Sequence, residues 1–479
     1  MKLSYLRPLA LSLAALLVSA PAAFALDAND FASKLSAVYG QSLPPGGALK
    51  LGAATVSGDA VSYDGVTVTL PDQAPVKLDT KLQFAGVKEQ PDGSYVADTL
   101  SFPDIDYKFE GGEVSARNLV LKRVYVASGK VPDVLAGSRL FSQGSIGPIT
   151  VVAGGKQLAT IDSVLVTNTF APSQTEGPLT NIASNGLTNN IKIDLAQISA
   201  QDPDSAKPIA QLGLSTLTAK AIENMTWSLT DGHIAISEIS VDVDNVGKLK
   251  FALDMTGYTP EFVHNLSSVS QALAQQGTSN ESAQSQQQTA MLLASLQTLF
   301  LNSTSLRFDD ASITNKLLDI GAKQENTTKS ALIESTVASI PAQLNGDGSM
   351  PVTLVQEIQA AVRAYLVDPH SIEVRLAPKS PLGVLGLVAV AMQPATAADT
   401  LGLQLVVNDK QITSAEASKE TGVAPGGTTA TPSSSGSSAA PSDSDNAATS
   451  DDQSDQSATD DGSDSNDDSG DQLTNKNAH

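Results

Sequence analysis

The sequence predicts an α+β protein built as a long antiparallel β-meander or curved sheet, with a helical insert and a disordered C-terminal tail. Three observations predict it. From Leu49 to Met255 apolar and polar residues alternate, the rhythm of strands that bury one face. Between Thr259 and His370 the apolar spacing lengthens to that of helices. From about Thr413 large apolar residues nearly vanish, and a chain of that composition cannot bury enough surface to offset its backbone entropy.

Residues 1–25 read as a signal peptide. Lys2 and Arg7 precede an apolar run from Leu9 to Val18, and Ala23-Phe24-Ala25 has the small-x-small pattern of a cleavage site. The expected location is therefore the periplasm, with secretion as the alternative. No later stretch is apolar over the roughly 20 residues that a membrane-spanning helix needs. The nearest, Leu382 to Met392, is too short and reads as a buried segment.

Residues 26–258 form the expected β region. It opens with a short helix on which Phe31, Leu35, Val38 and Tyr39 share a face, capped by Asn29 or Asp30. Alternation then begins. Val61 and Tyr63 precede an expected turn at Asp64-Gly65, and Val66, Val68 and Leu70 follow it. Further strands are expected around Tyr95 to Phe102, Ile105 to Phe109, Val114 to Val126, Ile149 to Val152 and Ile161 to Val166. Asn168 to Leu187, with Pro172 and Pro178, reads as a loop. The clearest sheet signal is the series Met225-Trp227-Leu229, Ile234 to Val243 and Leu249 to Met255, separated by turns at Thr230-Asp231-Gly232 and Asp244-Asn245.

Residues 259–370 form the expected helical insert. Thr259 caps and Pro260 opens its first helix, while Gln275 to Thr289 is too polar to pack. A helix around Leu292 to Phe300 and a short strand at Leu306 and Phe308 come next. Helices follow at Ile313 to Ile320, at Ala331 to Ile340 with a stop at Pro341, and from Pro351 to Leu366. Residues 371–412 return to alternation at Ile372-Val374-Leu376 and Leu401 to Val407, strands expected to rejoin the sheet. Residues 413–479 are the expected disordered, acidic, Ser/Asp-rich tail.

Charge and composition narrow the function. The formal charge is −22, and residues 421–479 hold eleven aspartates against one lysine. Such a chain is not drawn to nucleic acid or to an anionic lipid surface, so lipid contact would have to rest on apolar burial. There is no cysteine, hence no disulfide, thiol chemistry or lipid-modified cysteine. The four histidines, His233, His264, His370 and His479, have no partner histidine at metal-ligand spacing, so no metal site is expected. His233 lies in a hairpin turn, His264 in the first insert helix, and His370 in a helix-to-strand turn beside Pro369. There is no G-x-S-x-G elbow, and Gly154-Gly155-Lys156 lacks the phosphate-loop pattern. Asp461 to Asn466 lacks the glycine and glutamate of a calcium loop. Trp227, the single tryptophan, sits in an alternating strand and is expected in a core or on a sheet face. No catalytic residue, cofactor or metal follows from this reading, and the ligand-binding residues stay unassigned.

Where the long meander meets Leu306-Arg307-Phe308-Asp309-Asp310-Ala311-Ser312-Ile313, the chain resembles uncharacterised exported β-rich proteins of Gram-negative bacteria, the AsmA-like group among them. The resemblance spans about residues 50 to 410 and supplies no catalytic residues. AsmA-like proteins are usually tethered to a membrane at the amino end. The Ala23-Phe24-Ala25 cleavage pattern departs from that and argues against a role as a lipid bridge. The expectation is a non-enzymatic periplasmic protein that maintains the cell envelope, binding an apolar ligand such as a lipid or docking to a membrane-associated envelope protein. The alternatives are a secreted or surface structural protein and a hydrolase with an unrecognised site.

Overall fold

The computed structural model describes residues 26–413, apart from 41–42, 44–46, 71–73, 130–140, 173–178, 201–202, 267, 269–289, 291–292, 345–349 and 392. The expected signal peptide, the tail beyond 413 and the polar Gln275 to Thr289 stretch lie outside the described residues. Twenty strand segments form one antiparallel sheet in which each long strand pairs with its neighbours in sequence. This is the predicted meander.

It begins with helix α1 (Ala28–Gly40) and the strands β1 (Ala48–Ser57), β2 (Ala60–Thr69) and β3 (Val76–Ala85). The cap of α1 is Asp27, one or two positions earlier than expected, because its carboxylate reaches the amides of Asn29 at 2.9 Å and Asp30 at 3.2 Å. Asp64-Gly65 is not a turn. β2 continues through it, and the register against β3 shifts there by a bulge. The chain reverses at Gly58-Asp59 instead.

Next come β4 (Lys88–Glu89), β5 (Tyr95–Ser101), β6 (Ile105–Phe109), β7 (Gly112–Ala116), β8 (Val120–Val126), β9 (Phe141–Ile146) and β10 (Ile149–Ala153). The last six are three long strands, each broken once. Register runs on across the breaks: Ser101 faces Val120 as Ile105 faces Ala116, and Val120 faces Ser145 as Ala116 faces Ile149. Arg117 spans the break by donating to the Ile105 carbonyl at 2.9 Å and to Asp106 at 2.6 Å.

The centre contains the longest strands, β11 (Lys156–Ala171) and β12 (Asn181–Asp194). They overturn the loop expected from Asn168 to Leu187, since Asn168 pairs with Ser184 and Phe170 with Ile182. Two helices not expected from the sequence follow, α2 (Leu195–Ser199) and α3 (Pro203–Leu212). Then come β13 (Thr216–Ser228), β14 (Ile234–Val243) and β15 (Gly247–Thr256), joined by the two expected turns.

Thr259 caps the helical turns at residues 260–266, its hydroxyl accepting from the Phe262 amide at 3.1 Å. The short strand expected at Leu306 and Phe308 is the full-length β16 (Phe300–Asp310), so the helical span contains a strand of the sheet. After it lie α4 (Ile313–Gln324), α5 (Lys329–Leu344) and α6 (Val352–Val367). Pro341 sits inside α5 rather than stopping it. The sheet closes with β17 (Ser371–Leu376), β18 (Leu382–Gly383), β19 (Leu403–Val407) and β20 (Lys410–Ile412). β17 pairs with β16 and β19 with β17, so these strands rejoin the sheet as expected. Between β18 and β19 lie α7 (Val384–Ala391) and α8 (Pro394–Leu401). They correct two expectations: Leu401 ends a helix, and the described part of the Leu382 to Met392 segment is only partly buried, with Val390 buried but Leu385 and Val388 exposed.

Alternation and direct pairing separate two faces. One carries Val61 and Tyr63 on β2, Leu121 and Val124 on β8, Val241 on β14, Leu249 on β15 and Leu306 on β16. The opposite face carries Leu165, Leu187 and Ile222 across β11–β13 and is stitched by charge from β14 onward. There Arg307 reaches Asp309 at 2.7 Å and Asp409 at 2.8 Å, and Arg375 grips the buried Glu373 with both contacts at 3.0 Å. Lys248 meets Glu238 at 2.6 Å on the same side.

Candidate functional site

Helices cover the apolar face at its two ends. At the amino end, Phe31, Leu35 and Val38 of α1 are fully buried with Val61, Tyr63, Phe84, Tyr95 and Leu100. Each such side chain contributes roughly 1.5–3 kcal/mol by leaving water. At the carboxyl end, Ala361 and Tyr365 of α6 pack on Leu405 and Val407. α4 and α5 brace α6 from behind through Leu318, Ile333 and Val337, with Val362 and Leu366 against them. Near the middle a smaller cluster joins Trp227, Ile182 and Leu229. Trp227 is buried as expected, and its indole N–H donates to the Tyr258 carbonyl at 2.9 Å.

Between the covered ends lies the candidate site. Two cross-strand rows define it. In the first, Val241 faces Leu249, Leu249 faces Phe308, Phe308 faces Ile372, and Ile372 faces Val407. In the second, Ile239 faces Phe251, then Leu306, Val374 and Leu405 in turn. Each row starts in the open on β14 and ends under α6. Ile239, Val241, Leu249, Leu306 and Val374 are 41–49 % exposed, although each stands beside apolar neighbours on a sheet face. Strands lie about 4.8 Å apart, so four of them present an apolar strip on the order of 15 Å across. Single exposed leucines are ordinary on a protein surface; a contiguous strip of them marks a surface made for contact.

The site is open. Two depressions on the same sheet, one along β11–β13 and one along β14–β17, hold about 240 and 260 Å³, less than the roughly 300–1,000 Å³ of a pocket that encloses a small molecule. The first is lined by Thr169, Asn181, Thr226, Ser228 and His233.

The three histidines among the described residues fall in three places; His479 lies outside them. His233 is half-exposed on the polar face, with Nε2 3.0 Å from Asp254 Oδ1, and Asn302 donates to the same oxygen at 2.6 Å. His370 occupies the expected helix-to-strand turn, where Nε2 lies 3.1 Å from an equally exposed Asp368. His264 lies in the helical turns after Thr259, as expected. The fold therefore does not gather them. Among the described residues no group of three or more His, Cys, Asp or Glu side chains is placed to hold a metal ion. No helix of the described residues is long and apolar enough to cross a membrane.

The residues of the strip were all read from the sequence as strand residues and not as a site. The available signal was an excess: the apolar faces from β11 to β17 outnumber the amphipathic helices that could cover them. A family model described only as an uncharacterized protein matches residues 240–408, which run from within β14 through β19 and so contain most of the strip. No curated protein matches the sequence.

Proposed function

We propose that the protein is a non-enzymatic component of bacterial envelope maintenance that works in the periplasm and holds the apolar part of a lipid-like ligand against the open strip. The observation that supports this reading is the uneven cover of one apolar face. α1 buries one end and α6 covers Leu405 and Val407 at the other, while Ile239, Val241, Leu249, Leu306 and Val374 between them stay exposed. A face left open in water has an unfavourable hydration free energy that a hydrocarbon chain laid along it would relieve. Such binding requires no reacting group, and the alternating rows provide a smooth surface without a charged side chain among the ten residues named in them. The acidic chain would select by apolar contact rather than by attraction to an anionic headgroup.

Native mass spectrometry of the protein purified from its host without harsh detergent tests this. A bound species of lipid mass is expected, and the double substitution Leu249→Asp with Leu306→Asp should remove it while the far-UV circular dichroism stays unchanged. An empty wild-type protein, or equal lipid content in the variant, would overturn the reading.

A further inference from the structure

We infer that α7 and the adjoining Phe300 form a membrane-contact element that inserts shallowly into the interfacial layer of a lipid bilayer. The sequence around it sets the chemistry. From Ser380 to Ala398 the chain holds 19 residues with no ionisable side chain, the flanking charges being Lys379 and Asp399. Within that run α7 reads VLGLVAVA, apolar all round. A helix apolar on every side belongs in a core or in lipid. This one is only partly in a core: its own Val390 is buried, whereas Leu385 is 38 % and Val388 is 55 % exposed.

Its neighbours extend the patch. Phe300 is exposed, and its ring lies against Gly383, where a Cβ would come within 3.5 Å of it. The Val384 amide donates to the Leu299 carbonyl at 3.0 Å, which ties the start of α7 to the start of β16. Leu301 and Leu382, paired with each other and beside Met255, carry the apolar face to the same strand ends, while Phe300, one position earlier, stands on the opposite face there. The patch therefore sits at the strand ends, next to the open strip.

Two features favour a bilayer over a protein partner. A protein interface needs a polar rim with matched hydrogen bonds, and a run without an ionisable group offers little of one. A helix, by contrast, satisfies its interior amides within itself, which is what hydrocarbon demands. The charge of −22 removes electrostatic adsorption as the driving force, so contact has to come from apolar burial and is expected on uncharged lipid.

The test uses the full chain with vesicles of phosphatidylcholine alone. The wild type should co-float with them, and Val388→Asp should weaken partition by about tenfold or more, the loss expected for one apolar side chain no longer buried. Leu385→Ser serves as a milder second variant, and Trp227 emission reports that each variant is folded. Because the chain has no cysteine, Val388→Cys carrying an environment-sensitive dye should shift to the blue on vesicles, and Lys220→Cys on the polar face should not. Absence of wild-type flotation, equal partition of Val388→Asp, or a Lys220→Cys shift matching that of Val388→Cys would overturn the inference. So would a wild-type dimer that Val388→Asp turns into a monomer, which would make the patch a contact between copies. The inference does not rest on ligand binding at the strip: the double substitution Leu249→Asp with Leu306→Asp should lose bound lipid and still float.

Discussion

The Asp30 carboxylate shows how a single residue ties the first helix to the sheet. Tyr95 donates to it at 2.6 Å from β5, and Lys34 at 2.6 Å from the next turn of α1. Lys34 also lies 4.9 Å above the Tyr95 ring, so ammonium, ring and carboxylate form one unit. Burial by itself raises the pKa of Asp30, but the hydrogen bonds from Lys34 and Tyr95 outweigh it and hold the carboxyl below its ordinary range. The Tyr95 hydroxyl moves the other way, raised first by burial and then by its bond to Asp30. A carboxyl whose folded value lies below its unfolded value stabilises the protein above the ordinary carboxylate range. That contribution is lost as pH falls toward the folded value. The acid limb of stability should therefore be steeper in the wild type than in Asp30→Asn, with the difference developing below about pH 4. Urea midpoints of the two proteins across that range measure it; parallel curves would show that Asp30 contributes nothing to the acid limb.

Single elements show where local sequence signals are sufficient and where they fail. The hairpins at Asp231-Gly232 and Asp244-Asn245 were legible because turn residues and strand alternation agree there, and Thr259 was legible as a cap by the same consistency. Asp64-Gly65 misled because a glycine with φ near +90° serves a bulge as well as a turn. The structure supplies the missing half: Gly52 on β1 lies opposite that bulge, and a Cβ on it would stand 1.8 Å from the Asp64 carbonyl oxygen. Gly52→Ala must push the two backbones apart, and its cost is expected at about 2 kcal/mol or more, the range of backbone strain and a broken ladder. Chemical denaturation measures the loss. A neutral Gly52→Ala would show that β1 yields freely at the bulge. The Asn168 to Leu187 strands were hidden by Pro172 and Pro178, which lie just past the end of β11 and before β12 rather than within them. The site was hidden for another reason. Alternation identifies Leu249 and Leu405 alike as apolar-face residues, and only the position of α6 decides that the second is buried and the first exposed.

At the scale of the whole molecule, the meander has the energetics of a row rather than a ball. Each strand touches mainly its sequence neighbours, and the buried clusters are separate: one under α1, a small one around Trp227, and one under α6 with its bracing helices. Stability in such an array is close to a sum of local and nearest-neighbour contributions, so distant parts need not unfold together. Phe31 makes the sharpest probe. It is fully buried, with ring centroids 5.1 Å from Tyr95 and 5.8 Å from Phe84 in edge-to-face geometry. Phe31→Ala should cost about 3–5 kcal/mol through lost burial and a cavity. In a nearest-neighbour array that loss stays at the amino end. Hydrogen exchange in β1–β9 should accelerate while exchange in β15–β17 keeps its wild-type rate. Trp227, the single tryptophan, reports the middle of the row, and its emission midpoint in urea should move far less than the circular dichroism of the amino-terminal strands allows for a common transition. A single cooperative unfolding, with exchange at both ends and Trp227 emission displaced together by Phe31→Ala, would mean that the open central strands transmit stability across the full sheet, and that the exposed strip is held as rigidly as the covered ends.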